Sequence, residues 1–131
     1  MFLKRYEAFL PCGFDAAAAG ERCLGQVELM DRLLACLHTP GSGQALARLE
    51  QALAAGQRQA AYAEAHQLKG LVGCLAMQGL YGQASELCRL LREQQAPTPA
   101  EGERLQQLAA GWQQLLAALQ AYETQYPSTV C

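Results

Sequence analysis

Apolar side chains recur along this chain every three or four residues and almost never every second one, which is the helical period. Phe2, Tyr6 and Phe9 step by four and three ahead of Pro11, predicting a short N-terminal helix. Ala16 to Leu24 reads as a second helix with Gly25 as its C-cap. Val27, Met30, Leu34 and Leu37 mark a third, and His38-Thr39-Pro40-Gly41-Ser42-Gly43 breaks or kinks it. Leu46, Leu49 and Leu53 predict a helix that ends near Gly56. From Gln57 to Met77 the stripe is Ala61, Ala65, Leu68, Val72 and Leu75. After a turn at Gly79 it becomes Leu80, Ala84, Leu87 and Leu91. The last helix has the clearest start: Thr98 at the N-cap, Pro99 at the first helical position and Glu101 completing a capping box. Leu105, Leu108, Trp112, Leu115, Leu119 and Tyr122 follow, and the end from Pro127 to Cys131 is expected to fray. Stripes this regular pack lengthwise at shallow angles. Four of them joined by short loops predict an antiparallel four-helix bundle, with the short N-terminal helices capping or covering it.

Composition narrows this to an all-α chain. Among 131 residues isoleucine is absent and Val27, Val72 and Val130 are the only valines, too few β-branched residues for a sheet. With 51% hydrophobic and 17% charged residues the chain is not of the disordered class. A net charge of −2 offers no basic excess for holding a phosphate backbone, so nucleic acid is not an expected partner. No apolar run approaches the roughly 18 residues that span a bilayer. Charge follows at once on Met1-Phe2-Leu3, unlike a signal peptide, so a cytoplasmic protein is expected. The six cysteines, at 12, 23, 36, 74, 88 and 131, include no CxxC pair and fall largely inside helical patterns. They read as reduced, mostly buried packing residues. Only two histidines are present, His38 and His66, with no HExxH or ExxH pair, so no metal site is expected.

The informative segment is Ala65-His66-Gln67-Leu68-Lys69-Gly70-Leu71-Val72-Gly73-Cys74-Leu75-Ala76. At about 100° per residue, Ala61, Ala65, Leu68, Val72 and Leu75 share one face, whereas His66, Lys69, Gly70 and Gly73 share another. Each glycine inside a helix costs about 1 kcal/mol relative to alanine, and this chain uses alanine freely elsewhere. Two steric readings remain. The glycines clear space for another surface to reach His66, or they let a neighbouring helix pack closely, which fits Gly73 better than Gly70. Lys69, three residues after His66, is either a mobile point charge for a bound phosphoryl group or an ordinary solvated lysine. His38, at a helix end, reads as a structural residue.

His66-Gln67-Leu68-Lys69-Gly70 followed by Gly73 and Leu75 resembles the signature of histidine-containing phosphotransfer (HPt) domains, the shuttles of bacterial and plant phosphorelays. Residues 14–123 resemble the family's helical region, with 1–13 as an N-terminal arm and 124–131 as a tail. The resemblance implies that His66 is the phosphoacceptor, that Lys69 helps hold the phosphoryl group, and that Gly70 and Gly73 keep the histidine accessible. Three departures stand out. Ala76 replaces a family glycine, Leu71 and Val72 replace small polar residues, and Cys88 stands where some members carry a Gln or Glu that orients the imidazole. Gln67 and Ser85 are the substitutes considered for that role, beside Cys88 itself.

By the same resemblance the chain is a monomeric phosphocarrier in a two-component phosphorelay, most simply a bacterial one. Its partners would be a response-regulator receiver domain and a hybrid sensor kinase. It lacks a Walker loop or an acidic cluster for Mg²⁺, so no cofactor of its own is expected and Mg²⁺ would sit on the receiver. It would be a carrier and not a complete enzyme. Arg58 and Arg89 are candidates for steering the partner. The alternative is a helical-bundle adaptor that binds a regulator or kinase without being phosphorylated.

Overall fold

The computed structural model describes residues 2–38, 44–93 and 98–127, the side chains of residues 2 and 3 excepted. The expected break over 39–43 and the end of the tail, with Cys131, lie outside them. The described residues form seven α-helices: α1 (Phe2–Arg5), α2 (Ala16–Arg22), α3 (Val27–Ala35), α4 (Ala45–Ala54), α5 (Arg58–Cys74), α6 (Gln78–Glu93) and α7 (Pro99–Gln125). Two 3₁₀ segments, Glu7–Cys12 and Cys36–His38, complete them, and no strand occurs among the described residues. The expected all-α bundle is what forms. Helices α4 to α7 pack in sequence, each against the next, and the N-terminal segments cover α7.

The boundaries differ from the periodic pattern where backbone chemistry intervenes. The first helix is α only to Arg5 and continues as a 3₁₀ segment containing Pro11. Proline has no N–H to give and its ring crowds the carbonyl four residues back, so an α-helix cannot run through it. Helix α2 ends at Arg22 with Cys23 as its C-cap, two residues before the expected cap, and both Leu24 (φ 54°) and Gly25 (φ 71°) then take the left-handed conformation. Helix α5 stops at Cys74, short of Met77. There the Ala76 N–H bonds to Gly73 O and the Met77 N–H to Val72 O, the two bonds of a Schellman ending with Ala76 in the left-handed position (φ 58°). Ala76 therefore bears a left-handed backbone strain that a glycine at this position would not. Thr98 caps α7 as expected, its side chain accepting from Glu101 N, but Glu101 does not complete the expected capping box, because its carboxylate is held by Arg58 from the start of α5.

Two glycines hold the arm to the bundle. A Cβ on Gly13 would overlap Gly79 N and lie 2.9 Å from Gly79 Cα, and Gly79 in turn packs on the Cys12 carbonyl. On either side, Asp15 N donates to Ala76 O (2.8 Å) and Gln78 N to Gly13 O (2.9 Å). The turn between α5 and α6 is thus tied by backbone to the arm.

The aromatic end of the core is closed by a carboxylate. Asp31 accepts from Tyr6 Oη at 2.9 Å and Tyr122 Oη at 2.5 Å, and Arg5 donates to it at 3.3 Å. Tyr6 and Tyr122 stack at 5.1 Å. Burial first, and then the bond to Asp31, pushes the Tyr122 phenol up to about 12, and burial raises Tyr6 as well. The fold thus favours the neutral phenols over an ordinary tyrosine pKa of about 10. Their contribution to stability is complete below pH 10 and is lost as pH climbs through the raised values. Thermal melts followed by circular dichroism should be flat in this respect to about pH 9.5 and fall above pH 10. The Tyr6→Phe/Tyr122→Phe double variant should be less stable at pH 7 and show a shallower alkaline fall.

Candidate functional site

Helix α5 carries the site because its two faces differ in what they meet. Ala61, Ala65, Leu68 and Val72 are buried in the core. His66, Gln67 and Gly70 are exposed, and Lys69 and Gly73 are half-buried. Trp112 is buried on α7 within the core cluster, so the exposed His66 ring does not rest on it. A helical side chain leans back over the preceding turn. His66 accordingly lies on Tyr62, with ring centroids 6.0 Å apart and planes at 17°. Tyr62 is itself half-buried and packs on the core.

The two glycines turn out to do different things. A Cβ at Gly70 would meet nothing within 4 Å, so the surface beside His66 is open there. At Gly73 a Cβ would press on the Tyr81 ring, 3.0 Å from Cδ1 and 3.1 Å from Cε1. Gly73 is thus a niche for a side chain of α6, the close-packing reading and not the clearance reading. That ring reaches back toward the site: Lys69 Nζ lies 5.7 Å from its centroid, within range for a cation–π contact. Arg22, from the end of α2, donates to the Gly73 carbonyl, one of the α5 terminal carbonyls that a cation suits.

The remaining candidates are placed less simply. Ser85 Oγ is buried with no hydrogen-bond partner among the described residues. Cys88 is buried in the core. Its thiol is pushed up by burial, against the charges of Lys69 and Arg92. Neither of these two orients the His66 ring, and Gln67 lies exposed beside it. The arginines expected to steer a partner are engaged in pairs. Arg58 donates to the buried Glu101 (3.1 Å to Oε2), joining the starts of α5 and α7. Arg89 bonds to Glu86 (3.1 Å) and Glu93 (2.5 Å) on its own helix. His38 Nε2 meets Glu123 Oε2 at 2.6 Å, a contact between side chains and not with a helix end. Cys12, Cys23 and Cys88 are buried as expected of packing residues, but Cys36 and Cys74 are exposed.

Two aromatic residues were missed from sequence. Tyr62 carried a signal, its four-residue spacing to His66 on one helix. Tyr81 carried none, because its contact with Gly73 and Lys69 crosses between helices.

Among the described residues no group of three or more His, Cys, Asp or Glu is arranged to hold a metal, and no helix is long and apolar enough to cross a membrane. A family model, that of the Hpt domain, matches residues 41–122, which is more than half of the chain and includes His66, Lys69, Gly70, Gly73 and Tyr81. Helices α2 and α3 precede the matched span. No curated protein and no solved structure matches the chain.

Proposed function

The chain belongs to the Hpt domain family, and on that premise we propose that His66 is a phosphoacceptor that takes a phosphoryl group from, and returns it to, an aspartate of a receiver domain. One observation carries this reading: an exposed imidazole on the motif helix with open space at Gly70 beside it and a lysine one turn on. In the forward step the unprotonated ring nitrogen attacks phosphorus. The N–P bond forms as the P–O bond to the partner's aspartate breaks, and the carboxylate leaves with the electron pair. The other ring nitrogen keeps its proton, which then passes to solvent. Such transfer depends on positioning and charge neutralisation more than on covalent help. Lys69 supplies one positive charge, and the receiver would supply Mg²⁺ and its acidic pocket. The chain is on this reading a cytosolic carrier in a two-component relay, with receiver domains and a sensor kinase as partners.

The test is to incubate the full chain with a panel of receiver domains phosphorylated on aspartate. Label that is acid-labile and base-stable is expected on the chain. Receiver binding without any labelling would overturn the carrier reading in favour of a phosphorylation-independent adaptor.

Gly70 separates stability from access. Gly70→Ala should stabilise the fold by up to about 1 kcal/mol in chemical denaturation, since nothing opposes the added methyl. Gly70→Leu should fold equally well yet slow transfer from a receiver by on the order of 100-fold, because the side chain holds the donor away from the nitrogen. Unchanged transfer by the leucine variant would remove Gly70 from the docking face.

A further inference from the structure

We propose that Tyr62 is the positioning residue of the phosphoacceptor, setting the plane of the His66 imidazole by stacking. This deepens the carrier reading and rests on it. An exposed histidine on a helix samples several rotamers, whereas in-line attack on a docked aspartyl phosphate accepts a narrow range of ring directions. Something must select among them. In this chain the residues of α6 considered for that task do not perform it: Ser85 Oγ is buried with no hydrogen-bond partner among the described residues, and Cys88 is buried in the core. What meets the imidazole is the Tyr62 ring, near-parallel at 17° and 6.0 Å between centroids, the offset stacking that aromatic pairs favour. Tyr62 is a firm support because it packs against the core and sits on the same helix, four residues back. It leaves the ring edge, with its nitrogens, free to face a partner. The hydroxyl has no part in this, so any flat aromatic ring would serve and a branched aliphatic would not.

The experiment compares wild type, Tyr62→Phe and Tyr62→Leu as full chains. Two donors are used, a phosphorylated receiver at saturating concentration and phosphoramidate, a small donor that finds its own orientation. With the receiver, Tyr62→Phe should transfer at the wild-type rate. Tyr62→Leu should be about 3- to 10-fold slower, in keeping with the worth of an aromatic stack, with the half-saturating receiver concentration unchanged. With phosphoramidate all three should be labelled at similar rates. In NMR spectra the His66 ring protons should show a ring-current shift in wild type and Tyr62→Phe that is lost in Tyr62→Leu. Equal receiver rates for the phenylalanine and leucine variants would overturn the proposal, as would a loss confined to the half-saturating concentration, which marks a docking residue. Failure of wild type to be labelled by any receiver would overturn the carrier reading and the proposal together. Wild-type transfer with an unaffected leucine variant overturns the proposal alone.

Discussion

His66→Gln is expected to accept no phosphoryl group from any receiver and to melt within about 3 °C of wild type. Both halves follow from where the residue sits. The imidazole is exposed on α5 and its ring contact is with Tyr62. Removing it costs one stack, about 1 kcal/mol, and surface substitutions of this kind stay close to neutral. Glutamine is also a better helix former than histidine and returns part of that loss. Chemically the change is complete, because an amide nitrogen has no lone pair free to attack phosphorus. Label transfer and a thermal melt on one preparation check the two halves together. The other histidine is the control: His38 Nε2 already faces the Glu123 carboxylate at 2.6 Å, and an incoming phosphoryl dianion would meet that negative charge. His38→Gln should therefore be labelled like wild type. Label retained by His66→Gln would place the phosphoryl group elsewhere and end the carrier reading for this helix.

What could be read from the residues alone was whatever a single helix encodes. The Thr98 cap and Pro99 start of α7, the buried stripe from Leu108 to Tyr122 and the separation of His66 from the apolar face of α5 all depend on neighbours within one turn, and all have counterparts in the fold. Even Tyr62 was within reach, as a residue four positions before the histidine. Contacts between helices were not. The Gly73 niche is defined by Tyr81 on the next helix, so spacing could pair the glycine with His66 but not with the ring that fills it. Arg58 read as spare positive charge until Glu101, on another helix, came to lie beside it, whereas the Glu86 and Glu93 partners of Arg89 sit three and four residues away on its own helix and were within reach of the spacing. The left-handed conformation of Ala76 was hidden for a different reason. Helical periodicity continues through it to Met77, and only the two closing hydrogen bonds reveal where the helix stops.

Gly13→Ala should be the most damaging glycine-to-alanine change among the described residues, lowering the melting temperature by roughly 10 °C or more, and Gly25→Ala shows why. Both glycines have positive φ, 75° and 71°, so each alanine variant bears the same left-handed strain of about 1–2 kcal/mol. Their surroundings differ. Around Gly25 there is nothing within 4 Å, but a Cβ on Gly13 would overlap Gly79 N and stand 2.9 Å from Gly79 Cα. Those are backbone atoms at the start of α6, flanked by the hydrogen bonds from Asp15 to Ala76 and from Gln78 to Gly13. They cannot rotate aside as a side chain would. Relief requires parting the arm from the α5–α6 turn, and overpacking of this kind adds about 1–3 kcal/mol. Denaturant unfolding of the two variants side by side isolates that second contribution, because the strain is common to both. Gly13→Ala should lose about 2 kcal/mol more than Gly25→Ala. Equal losses would mean that the two backbones separate at little cost, and the arm would then be a loose cover over the bundle instead of the brace that fixes where α6 begins.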